Sequence, residues 1–237
     1  MPNSRRTSQV ALVSVLAALH IVLSLIPGPV GFRRLSIIIE PLEGLLGGPI
    51  LGFSAALVGW IGGRLVRPDA FYVENFFGLA ETIGALGAGL LANRRWVPVT
   101  VVYGGLIFSF LISPFAGFVP LWTLWDTYLG FLACFPTAIL LRGTTPGKAT
   151  GKMLVITVAL ISFISVELDA MARIFMLAVL GLYRAYGLPN SAWEVIFIAG
   201  AVQTPIEAAY TIGLMISVGV PVLVALRKSK ILEWPLP

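Results

Sequence analysis

Apolar runs recur along almost the whole chain, at roughly 9–26, 36–48, 49–66, 74–92, 97–116, 120–141, 153–182 and 195–226. Within lipid there is no water to satisfy exposed backbone groups, which restricts a spanning chain to helices or a closed barrel. Runs of this length and greasiness read as helices. Of 237 residues, 58% are hydrophobic and only 11% are charged, and the mean hydropathy is +0.95. The fold class expected is therefore an all-α polytopic membrane protein.

Charge then sets the topology. The net charge of +5 sits in small groups between the apolar runs: Arg5-Arg6, Arg94-Arg95, Arg142/Lys148/Lys152 and Arg227/Lys228/Lys230. That spacing is the positive-inside pattern of loops, not the continuous basic face of a nucleic-acid binder. The runs 36–48 and 49–66 are each short of the ~20 residues that cross a bilayer. If they form one span, the Arg94-Arg95 group falls opposite the N-terminal arginines. If they form a hinged pair, all four basic groups fall on one side, with both termini cytoplasmic. The charge bias favours the pair, although Arg33-Arg34 and Arg64/Arg67 fit it less well. The basic N-terminus followed by an apolar run lacks a convincing small-residue cleavage site and reads as a retained first helix. Cys134, alone, allows no internal disulfide. The loop at 142–152 is the one candidate boundary, dividing a core at 1–141 from two further or completing helices and a basic tail at 153–237.

Against this background the carboxylates stand out. Glu40 and Glu43 lie inside the apolar stretch 37–51, just before Gly47-Gly48-Pro49. At membrane depth such groups are costly unless paired or wet, so they mark a polar pocket. In the hinged topology the span ends bearing Glu40, Glu74, Asp126 and Glu194 point outward, while Glu81 and Glu207 lie nearer mid-membrane. An outward-open site with a basic inner rim is expected.

Several constellations admit two readings. Ala11, Ser14 and Ala18 form a small-residue stripe on the first helix, suited to docking a partner helix or to ordinary internal packing. The glycines from Gly44 to Gly63 around Pro49 form either a kink or a pocket wall. Trp122, Trp125 and Tyr128 are either interfacial belt residues or, with Asp126, a stacking face for a flat or cationic ligand. Asp169 and Arg173, at i and i+4, can neutralise each other, leaving Glu167 as the better ligand contact. Glu207 follows Thr204-Pro205, where a kink can open a cavity or serve a proton relay. His20, the only histidine, reads as packed.

The chain has no nucleotide-binding Gly-x-x-x-x-Gly-Lys-[Ser/Thr] loop, no His-Glu-x-x-His, no cysteine cluster and no Ser/His/Asp grouping. It is expected to use no ATP by itself, to hold no metal or cofactor, and not to be an enzyme.

The segment Leu16-Ala-Ala-Leu-His-Ile-Val-Leu-Ser-Leu-Ile-Pro27, then Ser36-Ile-Ile-Ile-Glu40, then Gly48-Pro-Ile-Leu-Gly52 and Gly59, resembles the substrate-binding S component of energy-coupling factor transporters. The thiamine-type members are the nearest in pattern. The resemblance implies a small helical bundle of about six spans that binds a vitamin or related micronutrient from outside, here with two further spans. It implies as partners a transmembrane coupling protein and two ATPases. It also makes Ala11, Ser14 and Ala18 the coupling-protein docking face, Glu40 a ligand contact, Glu74 and Asn75 the acidic residue and its neighbour that open a ligand-lining helix, and Trp122, Trp125 and Tyr128 an aromatic wall. Thiamine or a precursor is the first candidate ligand. The rival expectation is a stand-alone secondary transporter coupled to protons through Glu81, Glu167, Asp169 and Glu207.

Overall fold

A computed structural model describes residues 2–28, 33–67, 78–185 and 187–229, and every regular element among them is a helix. The α-helices are α1 (Pro2–Ser24), α2 (Glu40–Val66), α3 (Gly78–Ala92), α4 (Trp96–Leu111), α5 (Trp125–Gly143), α6 (Gly151–Ile174), α7 (Leu182–Ala185), α8 (Ala192–Leu214) and α9 (Val220–Ser229), and a 3-10 turn (Leu35–Ile38) precedes α2. Among the described residues, five stretches are long and apolar enough to cross a membrane: Arg6–Ser24, Glu40–Val66, Leu121–Gly143, Gly151–Val179 and Ala192–Lys228. The apolar helices Gly78–Ala92 and Trp96–Leu111 are shorter. The chain is a multi-pass helical membrane bundle.

The hinge expected at Gly47-Gly48-Pro49 is present and sharp. Gly48 adopts φ 67° and ψ −171°, a left-sided conformation open to glycine, and Pro49 has no N–H to continue the ladder. The chain doubles back there: a Cβ on Gly52 would lie 2.5 Å from the Glu43 carbonyl oxygen, although nine residues separate the two. The long arm, 49–66, runs beside α1, with Gly59 against His20 and Gly63 against Ser24. The returning limb, 35–47, covers about 20 Å from 3-10 and α-helical rises, less than a ~30 Å hydrocarbon core. It is a partial pass enclosed by protein: Ile37, Ile38, Ile39, Glu40, Glu43, Leu45 and Leu46 are all buried.

Small residues make this tight return possible. Gly44 lies against Ala85 and Ala88 of α3, and Gly89 of α3 lies against the Gly48 backbone. Any Cβ at these glycines would collide with backbone, so α2 and α3 approach as closely as helices can. α6 fills the centre, packing on α2, α3, α4, α5 and α8, and even its polar residues Thr157, Ser162, Ser165, Glu167 and Asp169 are buried. Near one end of α8, Phe110, Phe115, Tyr183, Trp193 and Phe197 form a contiguous aromatic cluster.

The basic groups gather at the opposite end. Arg94 donates to the carbonyls of Leu141 and Arg142, both at 2.6 Å. Arg227 donates to those of Ala149 and Pro146 at 2.7 and 2.6 Å. Arg6 lines a hollow together with Leu51, just past the hinge.

Candidate functional site

Elements far apart in sequence deliver six carboxylates to the middle of the bundle: Glu40 and Glu43 from the returning limb, Glu81 from α3, Glu167 and Asp169 from α6, and Glu207 from α8. None is more than 5% exposed. Four of them alternate with three basic side chains in one continuous string. His20 Nδ1 lies 3.0 Å from Glu43 Oε1, and its Nε2 lies 3.3 Å from Glu81 Oε2. The Arg173 guanidinium joins Glu81 Oε1 at 3.1 Å to Asp169 Oδ2 at 2.8 Å. Arg33, from the loop after α1, then joins Asp169 Oδ2 at 3.1 Å to Glu207 Oε2 at 3.0 Å. Gln203 Nε2 donates to the remaining Glu207 oxygen at 3.0 Å.

Two carboxylates flank the string without a cation. Glu40 accepts one hydrogen bond, from Ser165 Oγ at 2.9 Å, and its Oε2 is unpartnered. Glu167 is fully buried and neither of its oxygens has a hydrogen-bond partner. Space for its stem exists because residue 130 is glycine: a Cβ there would lie 2.5 Å from Glu167 Cβ and 2.6 Å from the Tyr103 hydroxyl. That hydroxyl is turned away to donate to the Thr127 carbonyl at 2.9 Å.

Counted formally among the described residues, six carboxylates face two guanidiniums and one imidazole. Even with His20 charged, three negative charges are left over in a region of low dielectric. Burying an uncompensated ion costs several kcal/mol or more. An arrangement of this kind can take up positive charge, as protons or as a cation.

The sequence-predicted residues divide sharply. Glu40 and Glu167 meet in the cluster, and the predicted Asp169–Arg173 pair is formed. Asp126 is buried, caps the Thr127 amide at 2.9 Å and lies within electrostatic range of Glu167. Trp122 and Trp125 are instead 61% and 44% exposed on the outside of the bundle, and Trp125 Nε1 donates to the Ala201 carbonyl at 3.0 Å. Tyr128 is half-buried. These three rings are not brought to the carboxylates. Ala11, Ser14 and Ala18 all lie exposed on α1. Glu74 and Asn75 lie outside the described residues.

His20 and Arg33 are the members that sequence reading missed. Isolated in an apolar helix, His20 reads as packing until Glu43 and Glu81 are brought to its two nitrogens. Arg33 reads as a loop charge until the turn, closed by Gly28 N–H to Arg33 O at 2.8 Å, points it inward. The signal available for His20 was Gly59, which leaves room for the imidazole.

Comparison with protein-family models, curated proteins and solved structures finds no match.

Proposed function

We propose that the chain is the membrane-embedded substrate-binding subunit of a micronutrient uptake system, taking a cationic or amine-bearing small molecule such as thiamine or a precursor. The observation that carries this reading is the carboxylate excess at the core of the bundle, with Glu40 and Glu167 making no salt bridge among the described residues. An amine or a charged ring would supply the missing positive charge. The subunit would have no catalysis of its own and would rely on a coupling protein and two ATPases for energy.

Two further features support it. Ala11, Ser14 and Ala18 are exposed together on α1, and a hollow of about 320 Å³ lined by Arg6, Gln9, Val10, Val13, Ser14 and Leu51 lies beside them. A small-residue helix face of this kind lets a partner helix approach closely. The gathering of Arg6, Arg94, Arg142 and Arg227 at one end fits a cytoplasmic position for that end and for both termini. Titration calorimetry of the purified protein with a panel of vitamins is the test. Micromolar or tighter binding of a cationic member is expected, and no binding by any member would refute the reading.

A second reading, a stand-alone proton-coupled transporter, is favoured by one observation: the string from Glu43 through His20 to Glu207 is continuous. Such a protein would accumulate solute in liposomes under a pH gradient with no ATPase present. The substrate-binding subunit would not.

A further inference from the structure

Arg33 is the one cation of the cluster that comes from a loop and not from a spanning helix. Its backbone is held by a turn in which Pro27 pairs with Arg34 and Leu35 N–H donates to the Ile26 carbonyl at 3.0 Å. Its side chain is 12% exposed, against 0% and 1% for the carboxylates it meets. It therefore lies at the rim of the buried site, with its head inserted between α6 and α8.

Its grip is weak. Arg33 Nη1 donates to Asp169 Oδ2 at 3.1 Å. The approach of Nε to Glu207 Oε2, although 3.0 Å, is not aligned as a hydrogen bond, and that oxygen is unpartnered. Arg173 is held quite differently: its Nε donates to both Asp169 oxygens at 2.8 and 3.0 Å, and its Nη2 to Glu81 at 3.1 Å. A guanidinium fork is at its best when it engages a carboxylate in two parallel bonds. Neither arginine forms that fork, since the Arg173 Nε–H is shared between both Asp169 oxygens, but Arg173 is hydrogen-bonded to two carboxylates and Arg33 to one.

A second, independent observation marks the place as a ligand site. Glu167, fully buried and with both oxygens unpartnered, lies within electrostatic range of Arg33, Asp169 and Glu207. Nothing in the described protein satisfies it. The carboxylates are almost wholly buried and the Arg33 head is the more exposed partner, so a guest that reaches Asp169 and Glu207 past the rim meets that head first.

We propose that Asp169, Glu207 and Glu167 form a site for a guanidinium, amidinium or similarly flat cation, and that Arg33 occupies it in the ligand-free protein as a tethered stand-in. A cationic ligand enters by displacing the Arg33 head. This assignment rests on reading the carboxylate cluster as the ligand site. It adds the ligand's chemistry and the residue it competes with. A tethered group competes at high effective concentration, so a free cation must bind well or be abundant to win.

The test is chemical rescue of full-length protein in detergent, with methylguanidinium as probe and thermal unfolding as readout. Arg33→Ala should melt below wild type and regain most of the loss, saturably, in millimolar methylguanidinium. Methylurea, the neutral analogue, and potassium chloride at equal concentration should restore nothing. Wild type should not shift, because its own guanidinium fills the site. The Arg33→Ala/Glu167→Gln double variant should need several-fold more probe. If Arg33→Ala does not fold, Arg33→Gln takes its place with the same expectations. No rescue of a folded variant, equal rescue by methylurea, or an equal shift in wild type would each overturn the proposal. Rescue without vitamin binding by wild type would count against the uptake reading alone. Vitamin binding without rescue would count against the Arg33 stand-in alone.

Discussion

His20 Nδ1 sits 3.0 Å from Glu43 Oε1 in the fully buried angle between α1 and the returning limb of α2. This pair fixes the limb from below, as Ser165 and Glu40 fix it from the α6 side. Its consequence is that a half-helix too short to cross the membrane is held at depth by polar contacts and not by its own length.

Removing the imidazole should release that limb. His20→Ala leaves Glu43 with no described side-chain partner and Glu81 with Arg173 and Ser36 only. Breaking a buried charged pair by deleting one member costs about 3–5 kcal/mol. The expected outcome is a large fall in the unfolding midpoint of the detergent-solubilised protein, with His20→Gln, which keeps a donor, falling less. Equal stability of His20→Ala and wild type would show that the string does not hold the limb.

The close approach of α2 and α3 makes a paired prediction about glycines. At Gly89 a Cβ would lie 2.5 Å from the Gly48 carbonyl carbon and the Pro49 nitrogen, atoms that cannot move without opening the hinge. Overpacking of this kind costs about 1–3 kcal/mol, so Gly89→Ala should destabilise. At Gly105 of α4 a Cβ meets nothing within 4 Å, and alanine there should be neutral or stabilising by about 0.5–1 kcal/mol, as for any helix-interior glycine. Thermal unfolding of the two variants side by side checks the contrast.

Arg94 ties the end of α5 to the α3–α4 turn while itself holding φ at 63°, where a non-glycine residue is strained. Its two bonds to the Leu141 and Arg142 carbonyls satisfy acceptors that the end of α5 leaves open. Arg94→Ala loses these bonds and keeps the strained backbone, whereas Arg94→Gly loses them and relieves it. Limited proteolysis should cut the 142–150 loop faster in both variants, and Arg94→Gly should be the more stable of the two.

What could be read from the chain, and what could not, follows the range of the interactions. The spanning helices were legible because length and greasiness are local. The hinge was legible because Gly48-Pro49 is a local backbone instruction. The Asp169–Arg173 pair was legible because i and i+4 share one helix face. Ser165 and Glu40 are separated by 125 positions, and Arg33 and Asp169 by 136; no spacing rule reaches across such gaps. Aromatic residues misled for a related reason: Trp122 and Trp125 are one turn apart, but periodicity alone does not say whether a face looks inward or toward lipid.

Glu167 and Asp169 carry the sharpest prediction, because they stand two residues apart on α6, equally buried, with opposite surroundings. Asp169 accepts from Arg33 and Arg173, so Asp169→Asn leaves two guanidiniums poorly compensated and should cost about 3 kcal/mol or more. Glu167 accepts from nothing. Replacing it by glutamine removes a buried, unpaired carboxylate at nearly constant volume, and Glu167→Gln should be neutral or stabilising. A residue retained against stability is one whose cost is offset when something binds. Glu167→Gln should therefore hold or raise the unfolding midpoint while weakening binding of a cationic ligand at least tenfold, a loss of about 1.4 kcal/mol. Calorimetry and thermal unfolding on the same preparation decide it: a destabilised Glu167→Gln that binds as wild type does would mean that Glu167 is a structural group with an unseen partner.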